Sequence, residues 1–267
     1  MTRIPPGQSS QPLPAPLAMS PDPTSTPIPI RPSSSKEEYK EAPAPHPKPD
    51  IPKIKLRLKV ADISHPGSSI FFRNTNPVLA LSDAVTSVLQ TLYASKKTMP
   101  PTRSVTLVLR SMDGVAYTTG SDLDNDHKEI HFNLNYIAGI PSEPSNRQKD
   151  EIAGVLTHEM VHAWQWNGFG TAPGGLIEGI ADFVRLRADL SPPHWSKEAG
   201  GDWDAGYQHT GYFLDWIDGK FGQGSVIRMN EKLRIGKYEE KEFWNSLFNR
   251  TVDSLWAEYS EKLKGSQ

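Results

Sequence analysis

The chain has 267 residues, 29 basic and 31 acidic side chains, a formal net charge of -2 and no cysteine. So even a balance gives no electrostatic case for nucleic acid or an anionic membrane surface, and any metal must be held by His, Asp or Glu. No apolar run approaches the roughly 18 residues of a membrane span, and the amino terminus lacks the apolar stretch of a signal peptide, so a cytoplasmic location is expected over a secreted one.

Of the 24 prolines, 15 fall between positions 5 and 52. Residues 1–50 have almost no aromatic side chains and no apolar period, so they cannot offset the entropy of ordering. They read as a disordered, partly polyproline II tail, and the prolines between positions 43 and 49 suit a proline-reading partner domain. Residues 51–267 then form one folded domain.

Within that domain "IKLRLKVADI" (54–63) alternates with period two and predicts a strand, its lysines and arginine forming a solvated face. "LSDAVTSVLQTLYAS" (81–95) repeats apolar residues at helical spacing, with Ser82 as N-cap. "SVTLVLRSM" (104–112), "GVAYTTG" (114–120) and "KEIHFNLNYI" (128–137) read as strands separated by turns at Asp113-Gly114 and over 122–126. Ser145 and Gln148 make a capping box for a helix carried by Ile152, Val155, Leu156, Val161 and Trp164 and stopped by Gly168. After a Gly/Pro loop a second helix covers 176–190, and further helices are expected near 208–219, 225–233 and 251–263. Strands first and helices after predict an α+β fold, a mixed or antiparallel sheet followed by a mostly helical half.

The chemistry concentrates in "VLTHEMVHAWQW" (155–166). Residues four apart on a helix lie one above the other, so His158 and His162 can offer two nitrogens to one zinc ion. Glu159 is placed to act as general base on a water at the open side. For either histidine alone, a satisfied core residue is the simpler reading. A catalytic zinc needs a third protein ligand, and Glu178, sixteen residues past His162, begins an acidic pair with Asp182 on one helix face. Glu178 as ligand and Asp182 as acceptor for a histidine N–H would use both carboxylates; the alternative is a solvated face paired with Arg185. In "WDAGYQHTGYF" (203–213), Tyr207, His209 and Tyr212 are candidate oxyanion donors, although aromatic residues at this spacing more often belong to a core. His127, His131 and His194 read as structural or exposed.

The stretch from "EIAGVLTHEMVHAWQWNGFGTAPGGLIEGIADFVRLRADLSPPHW" through "WDAGYQHTGYFLDWI" resembles the plant basic secretory protein family, peptidase-like proteins of the zincin class that also occur in fungi and bacteria. "GVAYTTG" and "EIHFNLNYI" are similar to segments that precede the HExxH helix there, so the likeness runs from about residue 54 to the end. It implies a thermolysin-like arrangement in which His158, His162 and Glu178 bind one zinc ion per chain, Glu159 is the base, Asp182 orients a ligand and Tyr207 faces the oxyanion. It also implies that the "EIHFNLNYI" strand is the sheet edge along which a peptide lies. Plant members are typically basic and secreted, so localisation and partners do not carry over. The function expected is a gluzincin-like metallopeptidase acting on peptide or protein substrates; the alternative is a non-catalytic, zinc-stabilised module that binds peptide or glycan.

Overall fold

The computed structural model describes residues 48–265. The tail and the proline-rich docking segment expected for the first part of the chain thus lie, except at residues 48–50, outside the described residues. Strand β1 (Lys55–Val60) keeps the alternation of its sequence: Leu56, Leu58 and Val60 pack on the core while Lys55, Arg57 and Lys59 are exposed. Charge along an edge strand discourages pairing with other chains. Helices α1 (Pro66–Asn74) and α2 (Pro77–Leu92) then carry the chain back, so that β2 (Ser104–Arg110) lies parallel beside β1, a pairing that requires such a crossover.

Both helices open with a proline after a capping side chain. His65 Nδ1 accepts from the Gly67 N–H at 3.0 Å, and Asn76 Oδ1 accepts from those of Val78 and Leu79 at 3.0 and 3.3 Å. Asn76, not Ser82, is therefore the cap of α2, and Ser82 lies inside the helix. Helix α1 has no sequence expectation behind it, because its apolar residues bunch at Ile70, Phe71 and Phe72 instead of recurring at helical spacing.

Strands β3 (Ala116–Ser121) and β4 (Asp124–Asn133) form a hairpin. β4 inserts parallel to β2, leaving β3 outermost in the order β1-β2-β4-β3. Two expectations are corrected here. The strand expected to run to residue 137 ends at Asn133, whose Oδ1 accepts from the Asn135 N–H at 2.9 Å and starts α3 (Leu134–Gly139). The segment expected at the sheet edge is interior, and the edge belongs to β3. The register sets Thr118 opposite Ile130 and Ile130 opposite Leu107, so Thr118 shares the core face, while Tyr117 and His131 stack on the other.

Helix α4 (Arg147–Trp164) crosses that core face against α2, β3 and β4. From Glu151 to Trp164 only Ala153 and His162 are partly exposed, so this is a central helix rather than an amphipathic surface one. The Ser145–Gln148 capping box does not form: the N-cap is Asn146, and Gln148 instead donates to the Ile140 carbonyl at 3.0 Å. The helix also ends before Gly168. The Ala163 carbonyl accepts from Thr102 Oγ1 at 3.0 Å and that of Trp164 accepts from the Tyr93 hydroxyl, so side chains satisfy its last carbonyls. Next come α5 (Gly174–Arg187), α6 (Tyr207–Phe221), α7 (Ser225–Ile235), α8 (Glu240–Phe248) and α9 (Val252–Lys264). Of these, only α8 lacked a sequence expectation. Among the described residues the fold is α+β, with a four-stranded mixed sheet and nine α-helices, none long and apolar enough to cross a membrane.

A buried ionic knot ties α3, α4 and α5 together. The Glu151 carboxylate accepts from Arg147 Nη1 at 2.7 Å, Arg185 Nη2 at 3.1 Å and the Tyr136 hydroxyl at 2.7 Å. Burial alone would raise the Glu151 pKa, but Arg185, Tyr136 and Arg147 outweigh it and hold the carboxyl below its usual range. Truncating one member strands the others, so Glu151→Ala should cost about 3–5 kcal/mol in chemical denaturation. Because the folded pKa is depressed, the ionic contribution is fully present above about pH 4.5, the unfolded value, and is lost as pH falls through the folded one. The stability gap between wild type and Glu151→Gln should therefore narrow on acidification; a gap independent of pH would show that the charge is not the source.

Candidate functional site

His158 and His162 project from one side of α4, and α5 packs beside them with Glu178 facing both. Glu178 Oε2 lies 3.1 Å from His158 Nε2 and 3.6 Å from His162 Nε2, and the two Nε2 atoms are 3.3 Å apart. The inward atoms form a nearly equilateral triangle. A tetrahedral ion with bonds of about 2.0–2.1 Å sets its ligand atoms about 3.3 Å apart, so this group could hold a metal ion. His158 is buried while His162 and Glu178 are partly exposed, which leaves the triangle open on their side.

The opposite ring nitrogens support the fit. His158 Nδ1 is 2.6 Å from Asp182 Oδ1, and the Asp182 carboxylate is buried. A carboxylate there fixes the proton on Nδ1 and turns the Nε2 lone pair inward. His162 Nδ1 faces the Gln165 side-chain amide at 2.8 Å. With the amide nitrogen toward the ring, Gln165 Oε1 is buried without a partner. Turning the amide over, a choice that heavy atoms alone do not decide, lets Oε1 accept from Nδ1–H. Both imidazoles are then held at Nδ1 and present Nε2, the state in which two histidines ligate one cation.

Without a cation, protons answer the same field. Burial disfavours a charge on His158, yet the Asp182 carboxylate, hydrogen bonds donated to Asp182 and Glu178 and the charge of Glu159 push its pKa up to about 10. Burial likewise opposes ionisation of Glu178, but the two histidines hold its carboxyl well below the usual range. The acidic pair is thus no solvated face, and Arg185, its alternative partner, binds Glu151 instead.

Glu159 is buried beside the triangle, and the Thr118 hydroxyl of β3 lies 2.7 Å from its Oε2 and 2.8 Å from its own carbonyl oxygen. Helix α6 approaches α5 closely: a Cβ on Gly179 would lie 2.3 Å from Thr210 Cγ2, and one on Gly211 would lie 3.2 Å from Asp182 Cβ. That approach brings Tyr207, the first residue of α6, over the site. Its backbone is left-handed at φ 47°, and its ring stacks on His158 at 6.1 Å and 13°.

The other candidates have different neighbours. His209 packs on Trp256, and Tyr212 sits against Trp195 with Lys197 over its ring. His127 meets Ser104 at 2.6 Å, His131 stacks on Tyr117 and bonds Glu129, and His194 is exposed. Sequence reasoning missed Thr118 and Gln165. Gln165 carried a usable signal, three residues past His162, whereas Thr118 depends on strand pairing that no local pattern reveals.

A family model described as "Peptidase of plants and bacteria" matches residues 53–259. No curated protein and no solved structure matches the chain. Elemental analysis of the purified chain should find one divalent metal ion per molecule, lost in His162→Ala, and Asp182→Asn should weaken metal affinity about 10–100-fold. Stoichiometric metal in the His162 variant would remove that residue from the site.

Proposed function

Because the chain belongs to the peptidase family of plants and bacteria, we propose that it is a zinc-dependent peptidase with a zincin-like domain over residues 51–267. The observation that carries this reading is the triangle of His158, His162 and Glu178 with the Glu159 carboxylate beside it. Two imidazoles and one carboxylate, with a side left open, are a donor set suited to catalytic zinc. A zinc ion held there supplies Lewis acidity, which acidifies water and polarises a carbonyl.

The chain's own groups do the rest. Glu159 takes a proton from the attacking water and later delivers it to the leaving amine nitrogen, while Asp182 keeps the His158 ring in its ligating tautomer. Tyr207, at the first turn of α6, serves as donor to the oxyanion of the tetrahedral intermediate. Among the described residues the free sheet edge nearest this machinery is β3, so an extended peptide pairs along Ala116–Ser121, not along the 129–137 segment.

The test is Glu159→Gln, assayed on a mixed peptide library beside metal analysis. The variant should keep its metal and lose turnover by about 100-fold or more, the scale of general-base catalysis. Undiminished cleavage by the metal-loaded variant would contradict the assignment, and a binding module without chemistry predicts no cleavage by either protein.

A further inference from the structure

We propose that Thr118 is a positioning residue for Glu159, its hydroxyl fixing the carboxylate from the sheet edge; the inference rests on the peptidase reading. The Thr118 hydroxyl donates to the Glu159 side chain, at 2.7 Å from Oε2. The same oxygen lies 2.8 Å from the Glu159 carbonyl, so its one proton is shared in a three-centre bond between the helix backbone and the end of the side chain it carries. A glutamate has three side-chain torsions, and a contact at both ends of that path selects one arrangement. By engaging Oε2 it assigns Oε1 to accept the proton from water.

The location has a second consequence. Thr118 lies on β3, the strand along which an extended substrate would pair, and its side chain shares the core face with Ile130. One residue therefore joins the strand that aligns the substrate to the group that activates the nucleophile. Small errors in that alignment cost rate more than affinity, because positioning is expressed in the transition state.

Thr118→Val keeps the β-branch and removes the hydroxyl, and Thr118→Ser restores it. With peptide substrate, the Val variant should lose kcat about tenfold, a part of the roughly 10²–10⁴-fold that general-base catalysis contributes. Its KM, bound metal and melting temperature should stay close to wild type, and the Ser variant should recover most of the rate. Wild-type kcat in the Val variant would overturn the proposal. So would a loss that Ser does not restore, or one that tracks loss of metal or of melting temperature. If the wild-type chain cleaves no peptide, the peptidase reading falls by itself, and crystal structures of wild type and Thr118→Val still decide the positioning role. The Glu159 carboxylate should leave its wild-type position in the Val variant; an unchanged position overturns the proposal.

Discussion

One hydrogen bond between two helices governs the site. Asp182 on α5 meets His158 Nδ1 on α4 at 2.6 Å, and every other feature of the cluster follows from which ring nitrogen carries the proton. With Nδ1 engaged, Nε2 can only look inward, toward His162 and Glu178. Glu178 stands one helical turn before Asp182, so α5 supplies two carboxylates to one imidazole from two sides. One closes the triangle, and the other sets the ring that forms it.

That bond needs α5 at a fixed depth and rotation against α4, and a second tie provides it. Glu151 lies about two turns before His158, and its partner Arg185 lies about one turn after Asp182. Two ionic contacts along one helix–helix seam fix the sliding of α5, while the close approach of α6 at Gly179 and Gly211 fixes its other flank. Buried charge of this kind is costly unless each group is paired. Here Glu151, Arg185, His158 and Asp182 all have charged partners, so the seam holds one arrangement and not a family of them.

The sequence carried well what lies within one element. The HExxH spacing, the acidic pair of "EGIAD" and the alternation of β1 are periodic signals, and each depends only on residues within one element. What it hid depends on elements meeting. Ser82 and the Ser145–Gln148 pair have the composition of caps, but Asn76 and Asn146 stand where the chain actually turns. "EIHFNLNYI" looks like one long strand until Asn133 caps the helix after it. It looks like an edge until the hairpin folds β3 outside it. Thr118 gains its importance only through that hairpin, and Gln165 only because α4 ends there and frees its side chain to reach His162. The family likeness, stated from about residue 54 to the end, agrees with the family to which the chain belongs, while the sheet edge it implied had to be moved by one strand.

The most direct measurement of the central claim is anomalous diffraction at the zinc absorption edge from crystals of the purified chain. The account predicts one peak lying about 2.0–2.2 Å from His158 Nε2, His162 Nε2 and a Glu178 oxygen, with Asp182 still bonded to His158 Nδ1. Zinc-soaked crystals with no peak among these three residues, or with the Glu178 carboxylate turned away to solvent, would contradict it.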